Sequence, residues 1–495
     1  MTMAAPSPAR VRSLPRLPSD FVPRDLRGRR VMVLGLGTFG GGLGAALHLL
    51  QEGADVVVAD ASPAEKLEPS LRALDGRGAE LLLGRHPTDD EVARCDWICA
   101  SPAVPWSAPP LAEAARRGVP VESELTLLMR LLPCPALGVT GTNGKSTTTM
   151  LAARTLAAAG RRIWSGGNLG GSLLGSVASI RPDDAVVLEI SSFQLEHLAD
   201  VGLGPAVGLV TNVTPDHLDR HGTFEEYVAA KRSILAGARL AVLQAGDPTC
   251  RRFGAEFRGE VLWFGDASEL RSGERGARLR DDGVATWRGL DGAEEEVDVA
   301  PLRLRGAHNR WNLLGAAAAA TAFGVPFGAA ARAGFGAEPL ARRLNELGTR
   351  RGARFVDDSV CTSPPALAAA LRSFDGPIRL LAGGYDKGID PAPMVAAMFE
   401  RCRKVYLYGA VARTLAGKLQ GAGPDATGRR GAAVGRPLQW EVFPDLRAAF
   451  AAAAQEAESG ETILLSPGYA SYDQFRNFTE RGDLFRALYA ELPSP

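Results

Sequence analysis

Short, uninterrupted apolar runs alternate with longer amphipathic stretches along most of the chain. Arg30-Val31-Met32-Val33-Leu34 is such a run, and Asp55-Val56-Val57-Val58-Ala59 is the next. A strand that is apolar at nearly every position is covered on both faces, as in a parallel sheet flanked by helices. Between these two runs lies Gly35-Leu36-Gly37-Thr38-Phe39-Gly40, after which a helix is expected through about Glu52. The αβ pattern continues through Cys95-Asp96-Trp97-Ile98-Cys99-Ala100. A second series begins near Pro133 and predicts strands at 185–190 and 206–211. From about 253 to 305 the segments become short, charged and punctuated by glycine, which predicts a β-meander insertion. One Ala-rich helix is expected from Asn309 through Ala331. A third series predicts strands at 354–356, 378–382, 404–408 and 462–466, and a glycine-rich surface loop from about 421 to 435.

This pattern predicts an α/β protein of three domains. A Rossmann-like domain would span 28–132, a central P-loop-type ATPase α/β domain 133–338, and a C-terminal Rossmann-like α/β domain 339–495. Residues 1–27, rich in Pro and Arg, are expected to form a loose leader. A chain of 495 residues is too long for one ordinary core, which agrees with several domains.

Charge narrows the partners. Lys plus Arg equals Asp plus Glu at 56 each, so no global field draws the chain to nucleic acid or an anionic membrane. No apolar run reaches membrane-spanning length. The six cysteines form no Cys-x-x-Cys pair, and buried, reduced thiols in a cytoplasmic protein are the simplest expectation. The working expectation is a monomer that acts on small molecules.

The richest chemistry lies in Gly141-Thr142-Asn143-Gly144-Lys145-Ser146-Thr147, between a short strand and a helix start. Glycines let a backbone wrap a phosphate while the amides of a helix N-terminus point at it. Lys145 supplies a charge for the outer phosphates, and Ser146 or Thr147 reaches a magnesium ion. The first glycine of the strict P-loop pattern is replaced by Val139. Glu189 ends an apolar strand, where a carboxylate suits either magnesium or a structural cap. After the next strand, Asn212-Val213-Thr214-Pro215-Asp216-His217-Leu218-Asp219 throws a polar cluster into the same kind of cleft, with His217 suited to a metal or a substrate. Lys231 lies on a helix, where most lysines are solvated. In the first unit, the Gly-x-Gly-x-x-Gly loop followed by Asp60 fits a nicotinamide dinucleotide as one alternative.

Together the phosphate loop, Glu189-x-Ser191-Ser192-Phe193-Gln194, the Asn212-to-Asp219 cluster and His308-Asn309-x-x-Asn312 resemble the Mur ligase family. Its members use ATP to add amino acids to the peptidoglycan precursor. The run from Leu465 to Gly482, through Ser471-Tyr472-Asp473-Gln474-Phe475-Arg476-Asn477-Phe478, is similar to the branch that joins glutamate, as its D form, to UDP-N-acetylmuramoyl-L-alanine. A folylpolyglutamate synthase would share the central unit but not the pattern from Ser471 to Arg481.

The resemblance implies a division of labour. Gly141 to Thr147, Asn309, Asn312, Arg343 and Asp358 would bind ATP. Ser146, Glu189, His217 and Lys231, the last as a carbamate, would hold two Mg2+ ions, with Lys145, His217 and Lys231 catalytic. Gly37, Thr38, Phe39, Asp60, Ser62, Asn168, Ser191 and Gln194 would meet the UDP substrate. Thr362, Lys387, Ser471, Tyr472 and Phe478 would surround glutamate. In two places the chain departs from the family. Relatives commonly read Asp-Ser-Lys-Ala-Thr where Asp358-Ser359-Val360-Cys361-Thr362 stands, and often Phe-Glu where Leu344-Asn345 stands.

Overall fold

The computed structural model describes residues 14–38, 40–169, 171–198, 201–422 and 437–493. Three sheets carry the chain. The first contains β1 (Arg30–Leu34), β2 (Asp55–Asp60), β3 (Glu80–Leu83), β4 (Trp97–Ala100) and β5 (Val121–Glu122), parallel throughout, in the order β3-β2-β1-β4-β5. The second contains β6 (Ala136–Thr140), β7 (Ile163–Gly167), β8 (Ala185–Glu189), β9 (Val207–Val210), β10 (Leu240–Gln244), β11 (Glu260–Asp266), β12 (Gly276–Leu279), β13 (Val284–Arg288) and β14 (Glu294–Asp298). Its order is β14-β13-β12-β11-β10-β9-β6-β8-β7. The third contains β15 (Asn345–Arg350), β16 (Ala353–Asp357), β17 (Ile378–Gly383), β18 (Cys402–Tyr408), β19 (Gln439–Val442) and β20 (Thr462–Gly468), in the order β15-β16-β20-β17-β18-β19.

Central strands form where the apolar runs were read. β8, β10 and β20 are buried at every position because helices cover both sheet faces. Each also ends on a polar residue or follows one with small, polar positions, which is where open α/β sheets bind ligands. The chain separates into two compact units: Met1–Val213 with Glu225–Asp298 and Leu313–Gly334, and Thr214–Phe224 with Val299–Asn312 and Phe335–Pro495. The first unit holds the first two sheets, and the second holds the third.

Several expectations need correction. The meander is only partly antiparallel: β10, β11 and β12 pair in parallel, and the reversal begins at β12–β13. The Ala-rich helix is two helices, Ala307–Thr321 and Phe327–Gly334, because Gly324, at φ +81°, turns the chain out of the first and Pro326 has no amide to rejoin the ladder. The edge strands β15 and β19 were missed, since charged or half-exposed edges lack an apolar run. Most of the glycine-rich loop, 423–436, lies outside the described residues.

The leader is the largest correction. Residues 1–13 lie outside the described residues, but the remainder of 1–27 is packed rather than loose. Leu14 and Leu26 are buried. Arg16 Nη1 donates to the Val121 carbonyl at 2.7 Å, and the Leu17 amide donates to Glu122 at 3.2 Å. Arg130 donates to the carbonyls of Leu17, Pro18, Ser19 and Phe21 and pairs with Glu122 at 3.0 Å. Their side chains are 2% and 0% exposed, so the pair is fully desolvated. A fixed guanidinium fork thus binds one carboxylate oxygen and a strap of backbone carbonyls at once. Composition alone hides this, because the anchor is more than a hundred residues away.

All six cysteines are unpaired and buried, as expected. Among the described residues, no helix is long and apolar enough to cross a membrane.

Arg130→Met would leave Glu122 buried without its counter-charge. The expected loss of stability is about 3–5 kcal/mol, measured by chemical denaturation of the full chain. A loss under about 1 kcal/mol would show that the strap does not depend on this residue.

Candidate functional site

The phosphate loop joins β6 to the helix Lys145–Ala158. Gly141 has φ +147°, and a Cβ there would stand 1.9 Å from Thr211 Oγ1, so only glycine lets the loop press against the end of β9. Thr211 and Asn212 hold it there. The Thr142 amide donates to the Asn212 carbonyl at 2.8 Å. The Asn143 amide donates to Asn212 Oδ1 at 3.0 Å, while Asn212 Nδ2 returns a bond to the Asn143 carbonyl at 3.0 Å. Thr211 Oγ1 donates to that same carbonyl at 2.6 Å. The helix begins at Gly144 without a side-chain cap, leaving its first turn shaped for an anion. Sequence reasoning put Asn212 in the cleft cluster without a stated partner and gave Thr211 no site role; their signal was a polar pair closing an apolar strand.

Lys145 folds back over the loop, its Nζ donating to the carbonyls of Gly141 at 2.9 Å and Thr142 at 2.8 Å. Lys231 comes to the same place from the helix Phe224–Arg232. It is 1% exposed, and its Nζ donates to Gly141 O at 2.8 Å and to Thr140 Oγ1 at 3.0 Å. The solvated-helix reading of Lys231 is therefore wrong: two ammonium groups share one carbonyl oxygen. Tyr227, one turn earlier, shares a 3.0 Å hydrogen bond with Thr142 Oγ1.

Glu189 ends β8, in register with Val139 of β6, and is 2% exposed. Its Oε1 accepts from Asn168 Nδ2 at 2.6 Å, while Oε2 is buried with no hydrogen-bond partner among the described residues. Among those residues no group of three or more His, Cys, Asp or Glu side chains gathers as a metal site. A hard divalent cation would instead draw on the orphaned Glu189 oxygen, a hydroxyl such as Ser146 and the oxygens of a bound nucleotide, which is the donor set magnesium accepts. Ser191 and Gln194 cap each other at the helix Ser192–Glu196: the Ser191 amide donates to Gln194 Oε1 at 2.9 Å, and the Gln194 amide to Ser191 Oγ at 3.3 Å.

In the first sheet Asp60 is engaged by the backbone around it. Its Oδ2 accepts the amides of Leu36 at 2.9 Å and Gly37 at 3.1 Å, and its Oδ1 accepts the Ser62 amide at 2.8 Å. The carboxylate shapes the glycine loop before it meets any ligand. Thr38 is exposed, and Phe39 lies outside the described residues.

In the second unit, His217 heads a short helix with φ +53°, a left-handed conformation uncommon for a residue with a side chain. Its Nε2 lies 3.5 Å from Asp216 Oδ2, and Lys387 Nζ lies 3.4 Å from Asp216 Oδ1. Asp216, quoted in the motif without a role, thus links a candidate metal or substrate residue to a candidate glutamate residue. Tyr385 and Ala470 exchange backbone hydrogen bonds at 2.8 and 3.1 Å, tying the Lys387 loop to the loop of Ser471 and Tyr472. Ser471 is buried and Thr362 half-buried. Tyr472 and Phe478 are 71% and 41% exposed. Arg481 is fully buried and donates to Tyr469 O at 3.0 Å and Ser359 O at 2.9 Å, binding the Asp358 loop to the same group.

Asn309 and Asn312 are buried on one face of their helix, joined by a 3.0 Å bond from Asn312 Nδ2 to Asn309 Oδ1. Burial pushes the neighbouring His308 down to about 4, so it is neutral at physiological pH. Arg342 and Leu344, flanking Arg343, have φ +64° and +45°, two strained residues that set the direction of the arginine between them. Burial pushes Asp358 up to about 7, against the lowering effect of its hydrogen bonds from Ser466 Oγ at 2.7 Å and the Leu344 amide at 3.1 Å. Of the two departures, Val360 donates its amide to Arg342 O at 3.4 Å, and Asn345 accepts from Arg486 at 2.7 Å.

The comparisons agree along the chain. The Mur ligase MurD-like N-terminal domain matches residues 29–123, the Mur ligase middle domain 139–320, and the Mur ligase glutamate ligase domain 342–468. Three consecutive α/β layers with a phosphate loop in the second define an acid–amino-acid ligase scaffold. The chain belongs to the Mur ligase family. A UDP-N-acetylmuramoylalanine--D-glutamate ligase of Roseiflexus sp. (strain RS-1) is 37% identical, covering 94% of this chain and 99% of its own. One of the same name from Pelotomaculum thermopropionicum is 36% identical, covering 95% and 99%. Among solved structures, a MurF ligase from Thermotoga maritima in complex with ADP shares the fold at TM-score 0.56 and 17% identity, covering 96% of this chain and 98% of that one.

Glu124, at the start of the helix Glu124–Leu131, is buried with its Oε1 accepting from Ser172 Oγ at 2.6 Å. Burial pushes this carboxyl up to about 7, despite the opposing hydrogen bond. Its folded value lies above the unfolded 4.5, so its burial costs stability as pH rises through that window. Glu124→Gln keeps the shape and removes the charge. Relative to the variant, the native protein is expected to lose stability between pH 5 and pH 8, read from paired denaturation curves. Parallel curves would rule out this buried titration.

Proposed function

We propose that this protein is an ATP-dependent ligase that joins D-glutamate to UDP-N-acetylmuramoyl-L-alanine in the cytoplasm, as a monomer. What carries the reading is the anion-shaped loop with Lys145, Lys231 and Glu189 gathered about the ends of β6 and β8, in a chain that matches relatives of that name over nearly its whole length. In this reading 28–132 holds the UDP group through Gly37, Thr38, Phe39, Asp60 and Ser62. Residues 133–338 hold ATP through the loop, Asn309 and Asn312, with Ser191 and Gln194 toward the sugar nucleotide. Residues 339–495 bring Arg343 and Asp358 to the nucleotide and Thr362, Lys387, Ser471, Tyr472 and Phe478 to glutamate. A lysine beside hydroxyl donors suits a dicarboxylate.

A carboxylate is a poor electrophile and needs activation. The substrate carboxylate attacks the γ-phosphorus of ATP, forming an O–P bond as the bond to the β–γ bridging oxygen breaks and ADP leaves. The glutamate amine then attacks the acyl carbon, and phosphate departs with the bonding pair. The loop amides and Lys145 orient the polyphosphate and offset its charge. Magnesium, held by Ser146, Glu189, His217 and carbamylated Lys231, would supply further charge neutralisation. Carbamylation would also turn the like-charged pair of Lys145 and Lys231 into an opposite-charged one.

The direct test measures phosphate release with ATP, magnesium and UDP-N-acetylmuramoyl-L-alanine, supplying amino acids one at a time. Release with D-glutamate and not without it is expected. Preference for L-glutamate would move the chain to another branch, and silence with every amino acid would remove the ligase reading. Lys145→Ala should lower the rate ~100–1000-fold while leaving the fold intact. Lys231→Ala should lose activity and regain part of it when a small carboxylic acid is added. Absence of rescue, together with an unmodified Lys231 in a crystal of the active enzyme, would refute the carbamate.

A further inference from the structure

Asn168 was expected at the substrate, yet its contacts point elsewhere. Its side-chain Nδ2 donates to Glu189 Oε1 at 2.6 Å, and its backbone amide donates to the Glu189 carbonyl at 2.8 Å. The same residue therefore grips both the side chain and the main chain of Glu189. The approach depends on the preceding glycine. Gly167 has φ +87°, and a Cβ there would stand 2.3 Å from the Glu189 carbonyl oxygen. The Gly167 amide closes the turn onto Gly171 O at 3.0 Å. The far end of that turn is anchored too: Ser172 Oγ donates to the buried Glu124, and Ser172 packs so closely on Gly44 that a Cβ there would lie 2.4 Å away.

From this geometry we infer that Asn168 is a positioning residue for Glu189, binding one carboxylate oxygen so that the other, Oε2, is presented to a divalent cation. The inference rests on the proposed ligase reading and deepens it. A carboxylate at the end of a buried strand has some rotational freedom; a hydrogen bond to one oxygen removes it. Outer partners of this kind fix the orientation of a ligating carboxylate, and losing one commonly costs ~10–100-fold in metal affinity. The buried and unpartnered Oε2 is what such a device leaves over.

The test is a double-mutant cycle on metal affinity, not on turnover. Mn2+ binding to the full-length protein with ADP is followed by electron paramagnetic resonance for the native chain, Asn168→Ala, Glu189→Gln and the double variant. Asn168→Ala is expected to weaken Mn2+ about 10-fold, with ADP affinity in EDTA and the melting temperature unchanged. In the Glu189→Gln background, the same change is expected to alter Mn2+ affinity less than about 2-fold, because the effects of coupled residues do not add. Additive losses would overturn the inference. So would unchanged Mn2+ affinity in Asn168→Ala together with weakened binding of UDP-N-acetylmuramoyl-L-alanine measured without metal, which would make Asn168 a substrate contact. If Asn168→Ala melts early, Asn168→Ser, which keeps a shorter donor, replaces it under the same two criteria. Native protein that binds no Mn2+ with ADP would count against the ligase reading itself.

Discussion

A loop that must accept a polyphosphate has to keep its amides and cations converging before the ligand arrives. That constraint organises the second sheet. The clamp of Thr211 and Asn212 uses a hydroxyl, a backbone carbonyl and both polar ends of an asparagine to fix residues 142 and 143. Because β9 lies beside β6, the clamp comes directly from the neighbouring strand end. The two lysines then gather on Gly141 O from opposite directions in sequence, one from the loop's own helix and one from the helix Phe224–Arg232. Like charges held this close are unfavourable on their own. The arrangement makes physical sense where the usual contents of the site are strongly anionic.

The second unit meets a similar demand with a different device. Its loops at 358–362, 384–388 and 469–472 leave the ends of β16, β17 and β20. Arg481 reaches two of them from the helix Phe478–Glu491, and the Tyr385–Ala470 exchange joins the third. An arginine buried without a carboxylate is stable only when carbonyl oxygens satisfy it. The carbonyls of Tyr469 and Ser359 meet that requirement on two sides of the guanidinium.

Much of this was legible from the sequence, for identifiable reasons. Central strands covered on both faces announce themselves as apolar runs, and the phosphate loop announces itself because glycine, lysine and hydroxyls must be adjacent in sequence to surround one anion. Edge strands carried no such signal, since β19 and β15 are exposed or only half-buried. The packed strap at 14–26 was invisible because its stability comes from Arg130 and Glu122, far along the chain. The burial of Lys231 was hidden for a related reason. On a helix a lysine reads as solvated, and only the tertiary position of Thr140 and Gly141 turns it inward.

The glycine loop of the first sheet shows how one pattern serves different ends. In a dinucleotide-binding unit, the acidic residue after the second strand is kept for a ribose. Here Asp60 already accepts three backbone amides, two of them from the loop itself. Those amides are no longer offered to a phosphate, and the carboxylate would repel one placed beside it. What stays open is the start of the helix Gly41–Gln51, whose N-cap, Gly40, has no side-chain cap. An anionic ligand of this sheet is therefore drawn toward the helix end and away from the strand end.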